Sequence, residues 1–314
     1  MSTHKWQGDL VFIIAMVFLI GGWFYLYPRS GPSQLTTLDA PLDLDIEPRT
    51  YAAPDGTALA YRLYAPSGQA QAVLVLLHDT LLHSAWYAEL GYGLAAHGIA
   101  VLAPDRRGWG HSGGERQQNQ DTTVLMEDIA ALINVAQARY PLAPLYLGAH
   151  GRGAGLALSY IATRRPIAGV VLIAPIISDK QPNLSPSGWA QLVKAHPIEA
   201  WLARAGLKQW AVWHYRWPKA MVEADPLLET TCSIACEQET YPVDLQTACQ
   251  ALNMPLLYVQ GEQDFLFDQA KLADLMAQFA TPNKQVLMIS GADYLGVLTT
   301  AADPVADWIQ KNRP

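Results

Sequence analysis

Residues 144–160, PLYLGAHGRGAGLALSY, constrain the fold more than any other stretch of the chain. An apolar run with aromatic and aliphatic side chains passes straight into closely spaced glycines and then into a helix-forming segment. That is the pattern of a buried strand turning sharply into a helix. Dinucleotide and phosphate loops also use glycine at such a turn, so the neighbouring pattern has to decide between them. Residues 72–77 (AVLVLL), 99–105, 167–175, 255–261 and 284–292 are further apolar runs, and residues 121–140 between two of them have helical spacing. Strands alternating with helices predict a mostly parallel sheet, because each parallel crossover needs a helix. Residues 51–64 alternate in polarity around Pro54, Asp55 and Gly56, which predicts an antiparallel hairpin at the start of the sheet. The alternation breaks between residue 176 and about residue 252 into Pro-rich and Trp-rich sequence.

Three segments together carry a family resemblance: LLHD at 76–79, APDRRGWGHSGGER at 103–116, and the turn Ala149-His150-Gly151-Arg152-Gly153. They resemble the monoacylglycerol lipase and lysophospholipase branch of the α/β-hydrolases. The resemblance implies the α/β-hydrolase fold: a central, mostly parallel sheet with helices on both faces and an inserted helical cap over about 177–252. It also implies a nucleophile at the elbow, an acid and a histidine after later strands, and an oxyanion hole built from backbone donors. Mapped onto this chain, the nucleophile position is Gly151, the acid is Asp264, and the histidine position is Tyr294 or its neighbour. The oxyanion positions are His78, Asp79 and Arg152. The same resemblance makes His111 and Ser112 loop-bracing residues.

The departures from that pattern are chemical. Gly151 has no side chain to attack anything, and Asp79 stands where a glycine is usual. Histidines occur at 4, 78, 83, 97, 111, 150, 196 and 214, so none follows Asp264. With nucleophile and base both missing, the covalent route is closed. The expected function is therefore that of a catalytically inactive α/β-hydrolase-like protein that binds a lipid-like ligand or a protein partner. The alternative is a lipase- or esterase-type hydrolase with a non-standard site using His150 and Asp264, with Asp79 or Tyr294 as further acid–base groups. A third reading is a structural subunit of a membrane complex. Trp210, Trp213 and Trp217 are spaced by three and four, so a helix would bring them to one face, either as core packing or as an apolar wall meeting lipid.

Residues 10–27 (LVFIIAMVFLIGGWFYLY) carry no charge and nearly match the apolar thickness of a bilayer, which predicts one transmembrane helix after a tail at 1–9. Residues 28–48, rich in Pro, Ser and Asp, read as a linker to a domain at 49–314. Lys5 and His4 before the apolar segment outweigh Arg29 after it, which places the amino terminus inside and the domain on the exported side. Membrane lipid and a membrane-protein complex are the expected partners. A formal charge of −7 argues against a nucleic-acid surface. No His-x-His or Cys-x-x-Cys pair supports a metal, no lysine follows the elbow to hold a phosphate, and no cofactor is expected. Cys232, Cys236 and Cys249 would stand as buried thiols or pair after export, although a four-residue helical spacing suits a disulfide poorly.

Overall fold

The computed structural model describes residues 42–116, 121–163, 166–187, 193–194, 205–207 and 212–314. The expected tail, the apolar segment at 10–27, most of the linker and Trp210 lie outside the described residues. Among the described residues, no helix is long and apolar enough to cross a membrane. The last linker residues are tied to the domain, with Leu42 and Ile46 packed on the core and the Arg62 Nε donating to the Ile46 carbonyl at 3.0 Å.

The eight strands of the main sheet are β1 (Arg49–Ala52), β2 (Ala58–Tyr64), β3 (Ala72–Leu77), β4 (Ile99–Pro104), β5 (Leu145–His150), β6 (Gly169–Ile173), β10 (Leu256–Gly261) and β11 (Lys284–Ile289). They run in the order β1-β2-β4-β3-β5-β6-β10-β11. The β1–β2 and β2–β4 pairs are antiparallel and the remaining pairs parallel, so the hairpin and the parallel core both follow the sequence pattern.

Helices α1 (Ala88–Ala96), α2 (Thr122–Arg139), α3 (Gly153–Ala162) and α5 (Ala302–Lys311) flank this sheet, and α4 (Ile234–Gln238) lies in the cap. Helix α2 begins where the Asp121 carboxylate accepts from the Thr123 amide at 2.8 Å, satisfying one of the free N–H groups of its first turn. Side chains alternate across the pleat, so each strand feeds two cores. Leu74, Val101, Val171 and Val259 pack with α1 and α5 on one face. Val75, Leu102, Leu147 and Leu172 pack with α2 and α3 on the other. Covering both faces explains why these strands read as continuous apolar runs.

Among its described residues the expected helical cap also carries strands. Alongside the helices Lys219–Ala224, α4 and Leu245–Ala251 it contains a three-stranded antiparallel sheet of β7 (Val193–Lys194), β8 (Val212–Tyr215) and β9 (Thr231–Ser233). The aromatic and β-branched residues of 212–215 favour a pleated, half-buried surface, and pairing with β9 decides against the helix. The three-and-four tryptophan spacing is thus not a helical face. Trp213 lies on β8, and Trp217, beyond its end, is 1 % exposed and donates its Nε1 hydrogen to the Glu229 carbonyl at 3.1 Å. Cys232 is on β9 and Cys236 on α4 rather than on one helix, and both are buried free thiols, as is Cys249.

Candidate active site

The loops at the carboxyl ends of β3, β4, β5, β10 and β11 meet above the sheet. Strand β5 ends at His150, Gly151 takes a left-handed φ of +53°, and α3 starts at Gly153. The turn is held at both ends: the Gly151 amide donates to the Ile173 carbonyl at 3.1 Å, and the Ile176 amide donates to the Gly151 carbonyl at 2.9 Å. A side chain at Gly153 would press on the His78 carbonyl at 2.7 Å, so glycine here lets α3 lie against the end of β3.

Gly151 is bare for a second reason. A Cβ built on it overlaps the Tyr294 hydroxyl and the Asp79 carboxyl carbon, and lies 2.6 Å from Asp79 Oδ1. The space in front of the elbow is already filled. Asp79 Oδ1 accepts from the Thr80 amide at 2.8 Å and from the Arg152 amide at 2.8 Å. Its Oδ2 accepts from the Tyr294 hydroxyl at 2.7 Å. Burial, and then Asp79, push the Tyr294 phenol far above its ordinary range, so it stays protonated and donates.

His150 sits beneath this group, fully buried, with its Nε2 3.1 Å from the Tyr294 carbonyl and its Nδ1 3.0 Å from the Tyr87 hydroxyl. A carbonyl only accepts, so Nε2 carries the proton and Nδ1 takes the Tyr87 hydrogen. The Tyr87 oxygen in turn accepts from the Asp79 amide at 2.9 Å. Burial holds the His150 imidazole below its ordinary pKa, which keeps it neutral. Both ring nitrogens of this fallback acid–base position have protein partners, Tyr87 and the Tyr294 carbonyl.

His78 is likewise inward. Its Nδ1 lies 2.6 Å from the Asp79 carbonyl and its Nε2 accepts from the Arg106 amide at 2.8 Å. Burial, with Arg106 next, lowers its pKa to about 3. Asp264 is where the pattern expects an acid, but among the described residues no imidazole meets it. Its oxygens accept from the Gln260 side chain at 2.8 Å and from the Leu266 amide at 3.0 Å, and burial raises its carboxyl to about 8. Asp264 and Tyr294 therefore have separate partners: the tyrosine turns to Asp79.

The Arg152 side chain leaves the elbow toward the cap. Its Nη2 lies 2.5 Å from Glu237 Oε1 on α4, its Nη1 3.8 Å from Asp79 Oδ1, and its guanidinium carbon 5.8 Å from the centre of the Tyr215 ring. The Tyr215 hydroxyl donates to the same Glu237 oxygen. A cavity of about 110 Å³ opens beside this pair, with Trp213, Tyr241, Ile176 and Leu184 in its wall. Ser112 and His111 lie on the far side of Asp105: the Ser112 hydroxyl donates to the Asp105 carbonyl at 2.6 Å, and the His111 amide donates to its carboxylate at 2.8 Å.

Tyr87, Tyr215 and Glu237 complete the site without any motif to announce them. A buried arginine next to an elbow does call for an acid, and the cap is the segment that had to supply it. Among the described residues, no group of three or more His, Cys, Asp or Glu side chains is placed to hold a metal ion.

Comparison with known proteins supports the fold. The profile of the family described as "Serine aminopeptidase, S33" matches residues 68–293. The monoglyceride lipase of Mus musculus is 27% identical over 246 residues, 76% of this chain and 80% of that protein. The monoacylglycerol lipase of Mycolicibacterium smegmatis is 26% identical over 253 residues, 77% of this chain and 88% of that protein. Among solved structures, a soluble variant of monoglyceride lipase from Saccharomyces cerevisiae in complex with a substrate analog superposes with a TM-score of 0.69 at 16% identity, covering 91% of this chain and 99% of that one.

Proposed function

The chain belongs to the serine aminopeptidase S33 family of α/β-hydrolases, and from that premise we propose that it uses an ester-hydrolase framework to bind a monoacylglycerol-like lipid rather than to cleave it by the serine route. The ligand class rests on the relatives, which are lipases of monoacylglycerols. The loss of serine chemistry rests on one observation: the Tyr294 hydroxyl and the Asp79 carboxylate occupy the volume that a side chain at position 151 would need. Without a nucleophile there is no acyl-enzyme, and without a histidine beyond Asp264 the triad's usual base for a hydroxyl is missing. The apolar segment at 10–27 would hold the domain at a membrane, on the exported side by the charge bias. A membrane-protein partner is compatible with the same tether.

The names of the relatives favour a second reading, an ester hydrolase working through a non-standard site with His150 and Asp264. It has one chemical asset, an Asp264 carboxyl raised to about 8 by burial and so able to exchange a proton near neutrality. One experiment separates the two. The full chain in mild detergent is incubated with monooleoylglycerol, and both oleate release and lipid-dependent quenching of tryptophan fluorescence are followed. Saturable quenching with no oleate release supports binding. Oleate release that survives a fluorophosphonate and is abolished by His150→Gln overturns it in favour of the second reading.

A further inference from the structure

Asp79 lies in front of an elbow that, on the reading above, carries no nucleophile. In a hydrolase of this fold the oxyanion hole is made by the amide after the nucleophile position and an amide from the loop after the third strand. Here those donors are Arg152 N and, in place of the expected His78 and Asp79, Thr80 N, since the Asp79 amide donates to the Tyr87 hydroxyl; both donors already have an acceptor, Asp79 Oδ1, at 2.8 Å each. The second carboxylate oxygen takes the Tyr294 hydroxyl hydrogen at 2.7 Å, and the Arg152 guanidinium lies 3.8 Å from the first. The carboxylate is 4 % exposed. We propose that the oxyanion hole of this chain persists as a carboxylate-binding site and that its resident ligand is the chain's own Asp79.

Three properties identify the ligand class as a small carboxylate. Two amides converge on one oxygen, a hydroxyl serves the other, and an arginine supplies the counter-charge, so a planar anion with two oxygens meets every donor. A spherical anion such as chloride would leave the Tyr294 hydroxyl without its acceptor. Removing Asp79 beyond its Cα vacates the volume of acetate, and glycine at 79 restores the residue this loop has in the resembling family.

The test is chemical rescue in the full chain in detergent. Asp79→Gly is expected to lower Tm by about 10 °C, because charge-assisted hydrogen bonds to two buried amides are lost. Sodium acetate should then raise Tm by several degrees in a saturable manner, while sodium chloride at equal ionic strength does not. The parent protein, with its site filled, should be indifferent to acetate. Adding Tyr294→Phe to Asp79→Gly should weaken the acetate response several-fold, the loss of one hydrogen bond. A folded Asp79→Gly protein for which acetate and chloride act alike overturns the proposal, as does an equal acetate response in the parent. If Asp79→Gly does not fold, Asp79→Asn keeps an acceptor but not the charge. The amide proton resonances of Thr80 and Arg152 should then both move upfield, and unchanged resonances overturn the proposal equally. Ester turnover by the parent would refute the binding reading above without affecting acetate rescue, and absence of rescue would leave that reading standing.

Discussion

A methyl group added at Gly151 gives a measurable test of how tightly the elbow is filled. Two costs follow from the geometry. A non-glycine residue at φ +53° sits in the left-handed region, which costs about 1–2 kcal/mol. The new Cβ also overlaps the Tyr294 hydroxyl and the Asp79 carboxyl carbon, and forcing a carbon into a packed site costs about 1–3 kcal/mol. Gly151→Ala should therefore destabilise by about 2–5 kcal/mol in urea unfolding with an unchanged m-value. The overlap part belongs to Asp79 and Tyr294 and disappears with them, whereas the backbone part remains. In an Asp79→Gly, Tyr294→Phe background the same Gly151→Ala change should thus cost only about 1–2 kcal/mol. The coupling energy of the cycle is then about 1–3 kcal/mol, beyond the ~0.5 kcal/mol scatter expected of independent sites. Additivity within that scatter would refute the claim that these side chains and Gly151 compete for one space.

The Arg152–Glu237 pair, with side chains 1% and 7% exposed, should behave as a buried ion pair: Glu237→Gln strands a buried guanidinium and is expected to cost about 3–5 kcal/mol in urea unfolding. Replacing both partners, as Arg152→Met with Glu237→Leu, should cost less than Glu237→Gln alone. Asp264 predicts a pH dependence whose sign is set by its raised folded pKa of about 8 against about 3.9 unfolded. Its contribution is fully present below pH ~4, falls at up to roughly 1.4 kcal/mol per unit as the unfolded state ionises alone, and is lost above pH ~8. Asp264→Asn should remove that slope from the stability profile while leaving the rest unchanged.

The main sheet is legible in the sequence for a physical reason. Strands covered on both faces have to be apolar throughout, so AVLVLL is observed as Ala72–Leu77, and the 99–105 run is observed as Ile99–Pro104. The hairpin and the capped start of α2 are equally local signals. The cap is not legible in this way, because the pairing of Trp213 with Cys232 is a tertiary choice between a helical and a strand reading of the same tryptophans. At the site, the missing nucleophile, the Asp79 substitution and the absence of a late histidine are all visible as residue types. What replaces them is not: the Tyr294 hydroxyl reaches Asp79 across 215 residues, and nothing in either local sequence states that contact.

That long-range contact makes the three departures one substitution rather than three. Asp79 fits between two amides only because Gly151 offers no side chain, and Tyr294 supplies a neutral, permanently protonated donor where an imidazole would titrate. Restoring one member should therefore create conflict rather than activity. Gly151→Ser alone places its Cβ against the Asp79 carboxylate, in front of an occupied anion hole and with no base, and a fluorophosphonate should fail to label it. Gly151→Ser with Tyr294→His supplies nucleophile and base but still has Asp79 Oδ1 on both amides, and a single missing oxyanion donor already costs about a hundredfold or more. Measurable labelling should first appear when Asp79→Gly is added to that pair, because only then is the hole open to a developing oxyanion. Gel-based labelling of the single, double and triple variants, normalised to folded protein, checks the order. Labelling of Gly151→Ser alone at the level of the triple variant would show that Asp79 and Tyr294 do not obstruct the elbow.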